Sequence, residues 1–404
     1  MEPVPVSAIL LPTETTRLSQ MPTPLVADND VARETLYFAR PSAQYRRHQI
    51  EIDAAMQRVL DGHVYIMGEE VKAFEAEFAA WTGAKFGIAV ANGTDALHLS
   101  LRALGIGVGD EVITTSHTAV ASIAAIEMSG ATPIMVDITA DRYCLDPEMV
   151  ARAITARTKA IMPVHLYGHP ADMGPLLELC ARHGLKLVED CAQAHGAEWQ
   201  GRQVGTIGDV GCYSLYPTKN LGALGDGGII VTSDAELAEK LRMIRQYGWR
   251  DRQYSEIQGI NSRLDEIQAA VLRVKLNYLS AGNARRRDIA QRYANGLKDL
   301  PLTLPEVQEG CEAVYHLYVL RSAERDALKA HLAAEGIIAG VHYPLPCHKH
   351  PAYEARFGAE SRPVAESIVS DILSLPMYPE LRNDQVDRVI EAVRGFYAMA
   401  AAAD

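Results

Sequence analysis

Two segments of this chain gather residue types able to do covalent and acid–base chemistry. The first is Val188-Glu189-Asp190-Cys191-Ala192-Gln193-Ala194-His195-Gly196, where an apolar run ends on an acid and is followed by side chains that hydrogen bond. The second is Tyr213-Ser214-Leu215-Tyr216-Pro217-Thr218-Lys219-Asn220-Leu221-Gly222, continued by Gly225-Asp226-Gly227-Gly228. Lys219 sits in a turn after an apolar strand, with hydroxyls upstream and glycines downstream. A lysine is ordinarily a solvated surface charge. In a partly desolvated turn more of its amine is neutral, and a neutral amine attacks an aldehyde to form a Schiff base. That chemistry also needs an acid to keep a ring nitrogen protonated, so that the ring accepts electrons. Asp190 supplies the acid if its strand and the strand before Lys219 end side by side; taken alone, a strand-terminal aspartate equally caps the next helix. A third piece, Asn92-Gly93-Thr94-Asp95, lies at a strand-to-helix turn. It offers backbone N–H groups, a hydroxyl and the positive end of a helix to a phosphate, or serves as an ordinary N-cap. Ser214 adds a second hydroxyl for the same phosphate.

The elements that must position these residues follow from the apolar periodicity. Two helices are expected between Gln49 and Phe78, broken at Asp61-Gly62 and Gly68. Strands then alternate with helices: strands 85–91, 111–115, 132–137, 160–165 and 185–190, with helices 96–104, 119–128, 147–154 and 173–183 between them. This alternation predicts an α/β fold with a mostly parallel sheet covered on both faces, and ligands at the carboxyl ends of the strands. After Asp190 two shorter strands, 210–215 and 228–232, are separated by a glycine-rich turn instead of a helix, so the sheet is expected to be mixed. A helix over 235–247 and a long one from about Leu264 past Gly282 toward Leu297 lead into a smaller α+β part, with strands 315–321 and 337–342, a helix 323–335 and two helices to the end. The expected division is an N-terminal extension over 1–44, a large domain over 45–280 and a small domain over 281–404. The extension, rich in proline and small polar residues, is read as poorly ordered.

Composition narrows the function classes. The chain has 404 residues, 48% hydrophobic and 22% charged, with a formal net charge of −12. Clustered positive charge is what binds nucleic acid or anionic membrane surfaces, so neither is an expected partner. There is no apolar run long enough to cross a bilayer. Six widely spaced cysteines without a Cys-x-x-Cys pair suit a reducing cytoplasm.

The segments above, in this order, resemble the fold-type-I pyridoxal-phosphate enzymes, and in detail the DegT/DnrJ/EryC1/StrS family of sugar aminotransferases. The resemblance runs from about Gln49 to Phe396. It extends to Ile66-Met67-Gly68-Glu69-Glu70-Val71, Val164-His165-Leu166-Tyr167-Gly168, Asn261-Ser262-Arg263-Leu264-Asp265-Glu266, Val341-His342-Tyr343-Pro344 and Leu375-Pro376-Met377. It implies pyridoxal 5′-phosphate as cofactor, with Lys219 as the Schiff-base lysine that also shuttles protons and Asp190 at the pyridine nitrogen. It further implies Gln193 beside the ring hydroxyl, and Gly93, Thr94 and Ser214 at the phosphate. Asn261 matches a residue that reaches the phosphate of the neighbouring subunit's cofactor, so a homodimer with shared sites is implied. His342 and Tyr343 become substrate contacts. The implied reaction is ping-pong transfer of an amino group, typically from glutamate, to a keto sugar carried on a nucleotide; the Gln193 variant resembles members acting at C-3 of deoxy sugars. A keto-cyclitol substrate and a non-catalytic regulatory role are the alternatives, the latter disfavoured by the presence of Lys219 and Asp190. The chain departs from the family at Ala119, where many relatives carry an aromatic residue stacked on the cofactor; His117 is one substitute.

Weaker signals have plainer readings. His342, Cys347, His348 and His350 match no common zinc spacing, and no metal is expected. His165 and His195, at strand ends, serve equally as structural histidines, and Arg285-Arg286-Arg287 is read as a solvated helix face.

Overall fold

The computed structural model of the protein describes residues 34–401. Most of the expected N-terminal extension lies outside these residues. Its last eleven residues, 34–44, are described: Leu36–Tyr37 pairs in parallel with Ile337–Ile338, and a helix begins at Pro41. Leu36 is fully buried against the core around Tyr293, Tyr318 and Ile337, which is why this stretch is structured in spite of its polar neighbours.

The seven strands of the main sheet, numbered along the chain, are β1 (Phe86–Val90), β2 (Glu111–Thr115), β3 (Thr132–Val136), β4 (Thr158–Met162), β5 (Lys186–Asp190), β6 (Val210–Ser214) and β7 (Gly228–Thr232). Their spatial order is β1-β7-β6-β5-β4-β2-β3. All run parallel except β7, which is antiparallel to both β1 and β6. The reversal goes with the glycine-rich connection 215–227, which forms no helix to carry a parallel return across the face of the sheet. Successive strand residues point to opposite faces. Ile88 and Val90 enter a core with Leu97, Leu101 and Ile230, whereas Ala89 enters the other with Phe74, Phe78 and Tyr213. Both faces are therefore covered, and the carboxyl ends of β1, β5 and β6 share one edge.

The helix Glu266–Leu297 is continuous for 32 residues. The division expected at 280/281 is interior to it, and the described residues from Thr35 onward form one compact unit. The C-terminal layer has its own core, including Ile289, Tyr293, Leu320, Leu328 and Val386. Its strand Tyr318–Arg321 pairs antiparallel with Ile372–Leu375. The second of these falls in a stretch expected to be helical, and only Ile337–Ile338 of the expected strand 337–342 is extended. Both misreadings concern short buried runs whose type depends on the partner they find.

Candidate active site

β5 and β6 are adjacent and parallel, with Asp190 beside Cys212, so the two chemical segments leave the sheet side by side. The Asp190 carboxylate is buried. Ser122 Oγ donates to its Oδ2 at 2.8 Å, and the Ala192 N–H donates to its Oδ1 at 3.1 Å. Burial raises its pKa, while these two hydrogen bonds and the charge of Lys219 work in the opposite direction.

Lys219 is carried on the loop Pro217–Gly222. The loop is closed by Lys219 N–H to Tyr216 C=O at 2.8 Å and Ala223 N–H to Leu215 C=O at 2.7 Å. Burial lowers the pKa of the amine from 10.5 to about 8, against the pull of Asp190. The neutral, nucleophilic form of the amine is thus far more populated at mild pH than in a solvated lysine.

The third piece arrives through β7. Gly228 stands between Val90 and Ser214 in the ladder. A Cβ on it would lie 2.3 Å from the Asn92 carbonyl, so only glycine lets the turn after β1 lie this close to β7. Asn92 Oδ1 accepts from the Asp95 N–H at 2.8 Å and caps the helix Gly93–Ala103. The cap and an anion site are compatible, because Asn92 occupies one N–H of the first turn and leaves others free. Gly93 packs directly on Ser214, where a Cβ would stand 2.6 Å from the serine Cβ. Gly93→Ala is expected to force β6 and the helix apart and lower stability by about 1–3 kcal/mol, checked by denaturant unfolding.

Gly93, Thr94, Asp190, Gln193, Ser214 and Lys219 all line one cavity of about 250 Å³. One end offers a helix N-terminus and two hydroxyls, the other a buried carboxylate, and the wall an amine. This donor set suits a phosphorylated, nitrogen-containing aromatic aldehyde. Ser122, Ala192 and Asp226 also line it. Ser122 was missed by sequence reasoning because it lies 68 residues from the acid it contacts; a hydroxyl in the first turn of the helix after β2 was the available signal.

Gln193 is buried between two tyrosines. Its Oε1 accepts from the Tyr167 N–H at 2.7 Å, and its Nε2 donates to Tyr343 Oη at 2.9 Å. Tyr343 and His342 do not themselves line the cavity: Tyr343 reaches it only through its bond to Gln193, and His342 Nδ1 lies 2.9 Å from Ser374 Oγ. His117 does not line the cavity. Its Nε2 donates to Tyr167 Oη at 2.7 Å, and burial lowers its pKa to about 4. It offers no stacking surface in place of the missing aromatic residue, and Ala119 lines the wall itself. Asn261 is exposed and outside the cavity, its backbone bridged to Gln246.

Other expectations change. Arg286 is buried, not solvated, and donates to the carbonyls of Tyr315, His316 and Met377. Of the histidine-rich stretch, His348 bonds Glu366 at 2.9 Å and Cys347 faces the Thr118 carbonyl. His165 bonds Glu189, whose carboxylate also accepts from the N–H groups of Gly205, Ile207 and Gly208. All six cysteines are free, and among the described residues no helix is long and apolar enough to cross a membrane.

A model of the DegT/DnrJ/EryC1/StrS aminotransferase family matches residues 47–394. The chain belongs to this family. It is a pyridoxal-phosphate-dependent aminotransferase. The dTDP-3-amino-3,4,6-trideoxy-alpha-D-glucose transaminase of Streptomyces venezuelae is 51% identical to this aminotransferase over 354 residues, covering 87% of this chain and 93% of that protein. The dTDP-3-amino-3,6-dideoxy-alpha-D-galactopyranose transaminase of Aneurinibacillus thermoaerophilus is 49% identical over 350 residues, covering 87% and 96%. The crystal structure of S. venezuelae DesV in complex with a ketimine intermediate matches the aminotransferase with a TM-score of 0.88 at 50% identity, over 90% of this chain and 98% of that one.

Proposed function

We propose that this aminotransferase moves an amino group from an amino acid, glutamate, to the C-3 keto carbon of a deoxy sugar carried on a nucleotide. The observation that carries the reading is the meeting of Lys219 and Asp190 in one cavity whose far end is the Gly93–Thr94 helix start and Ser214. The two relatives, both 3-amino sugar transaminases, support the choice of carbon.

Each residue has a role in this reading. Gly93, Thr94 and Ser214 would hold the cofactor phosphate, Gln193 would stand at its ring hydroxyl, and Asp190 would keep its ring nitrogen protonated. When bound, the cofactor would supply an electron sink for the carbon that loses its proton. Lys219 would anchor it covalently and, with its amine free, would hold and move the proton at Nζ. His342 and Tyr343 contact the substrate, the tyrosine through its tie to Gln193. The aminotransferase works as a homodimer in which Asn261 reaches the phosphate of the neighbouring copy's cofactor. Its exposure and its position outside the cavity of its own chain support this role.

The test is the visible spectrum of the purified protein before and after glutamate, then with a series of keto sugar nucleotides. The expected result is conversion of the cofactor to its aminated form by glutamate and its return with a 3-keto deoxy sugar nucleotide alone. Return with a 4-keto isomer would overturn the assignment of the carbon. A second expectation concerns pH. Because the Lys219 amine titrates near 8, capture of added pyridoxal phosphate by the apo-protein should speed up as pH rises through about 8 and level off above it. Stopped-flow absorbance across pH 6–10, about the range of mild buffers, checks it; a rise continuing toward the ordinary lysine range would contradict the desolvated site.

A further inference from the structure

We propose that Asn220 is a positioning residue: a buried polar hub that ties the loop carrying Lys219 to three distant segments and so sets where the Lys219 amine stands. The proposal rests on the reading of Lys219 as the covalent anchor and adds residues to which the reaction assigns no role.

Asn220 follows Lys219 directly and is 5% exposed. Its Nδ2 donates to Asn283 Oδ1 at 3.0 Å and to the Val314 carbonyl at 3.1 Å, while His316 Nδ1 lies 3.3 Å from its Oδ1. An amide has two N–H donors and an oxygen that only accepts, so both donors are used and His316 Nδ1 must carry the proton. Burial, and after it the charges of Lys219 and Arg286, hold His316 neutral, which suits a ring that donates from one nitrogen. Asn283 extends the chain: its Nδ2 donates to the His195 carbonyl at 2.7 Å, on the segment that begins with Asp190. The approach is close enough that a Cβ on Gly196, at φ +85°, would stand 2.9 Å from Asn283 Nδ2. One amide thus joins the Lys219 loop to the Asp190 segment, to the helix Glu266–Leu297 and to the 314–316 stretch of the C-terminal layer.

The far end of the loop is held as well. Lys275, 1% exposed, donates from Nζ to the Gly222 carbonyl at 2.7 Å. Among the described residues, the Asn220 side chain and the Gly222 carbonyl are the hydrogen-bonded ties between Pro217–Gly222 and elements outside its own β-turn. With the second fixed on the backbone, the Asn220 side chain is the tie nearest the reacting amine. The titratable groups around that amine are Asp190, His195, His316 and His342, all of them influenced by Lys219. The three imidazoles are pushed toward neutrality by burial, so a displaced amine would meet a changed balance between Asp190 and apolar surroundings.

The test compares wild-type apo-protein with Asn220→Ala and Asn220→Asp, and with Leu328→Ala as a control that loosens the C-terminal core far from the loop. Competitive acetylation read by mass spectrometry gives the pKa and reactivity of Lys219 without turnover; capture of pyridoxal phosphate and the kcat and KM of transamination are measured in parallel. The expected result for Asn220→Ala is a Lys219 pKa displaced from its wild-type value, capture slowed about tenfold and kcat lowered by roughly 10–100-fold with KM for the donor changed little, as for a misplaced reacting group. Leu328→Ala is expected to lower the unfolding midpoint while leaving Lys219 as in the wild type. If Asn220→Ala does not fold, His316→Gln, which replaces the ring donor by an amide donor, carries the same measurements with a smaller displacement. Wild-type reactivity and pKa of Lys219 in folded Asn220 and His316 variants would remove the hub. Failure of the wild-type protein itself to capture pyridoxal phosphate at Lys219 would instead remove the reading on which the hub rests.

Discussion

Lys219→Ala is expected to abolish covalent attachment of pyridoxal phosphate and to lower turnover by roughly 10⁴-fold, the upper range for loss of a positioned acid–base group. Two roles disappear with one side chain: the anchor and the carrier of the proton. Among the described residues no other amine lines the cavity to take either over. The fold should survive. The amine is held below its ordinary pKa by burial, so its protonated form is disfavoured in the folded state, and removing it relieves a desolvation cost. The variant should unfold at or above the wild-type midpoint in a calorimetric scan, with the visible band absent. Steady transamination by this variant would sink the assignment of Lys219.

Asp190→Asn is expected to leave the cavity shaped as it is and to slow the reaction by roughly 10²–10³-fold, the scale for loss of one preorganised charge at a reacting centre. The amide has the same outline as the carboxylate. Its oxygen keeps the hydrogen bond from the Ala192 N–H, and its nitrogen turns Ser122 Oγ from donor to acceptor. What goes is the negative charge, in a buried place where charge interactions are little screened. Cofactor should still be bound and the ring nitrogen left unprotonated. The pH dependence of stability has a definite sign. Because burial raises the folded-state pKa of Asp190, the group favours the folded state most at low pH, and that contribution is lost as pH rises through its folded pKa. At neutral pH the asparagine variant should therefore be as stable as the wild type or more so, and the gain should shrink in acid. Paired kinetics and thermal scans at several pH values separate the two effects; an undiminished rate would mean that another group holds the ring nitrogen.

Several features were determined by the sequence alone. β2, β7 and the helix Met173–His183 fall on the residues that periodicity predicts, because each is long enough to show its period and ends on a residue with its own local signal. Asp190 ends an apolar run and Lys219 lies in the turn after another, so the sequence placed both near strand ends, and contiguous residues keep their order whatever the fold does. The bend at 225–228 marked the antiparallel strand before its neighbours were known.

Tertiary structure decided the rest. Nothing local states that β7 lies between β1 and β6, yet that order puts Gly93 on Ser214 and so brings the helix start and the serine hydroxyl to one cavity. Ser122 on Asp190, Tyr343 on Gln193 and Asn283 on Asn220 join residues 68, 150 and 63 positions apart. Arg286 looks like one of three solvated arginines until the 315–316 and 377 carbonyls close over it. Periodicity reports which face of an element is apolar. It does not report which element covers that face, because strand order is set by the burial of the whole sheet, and the polar contacts of the site are made only after that choice.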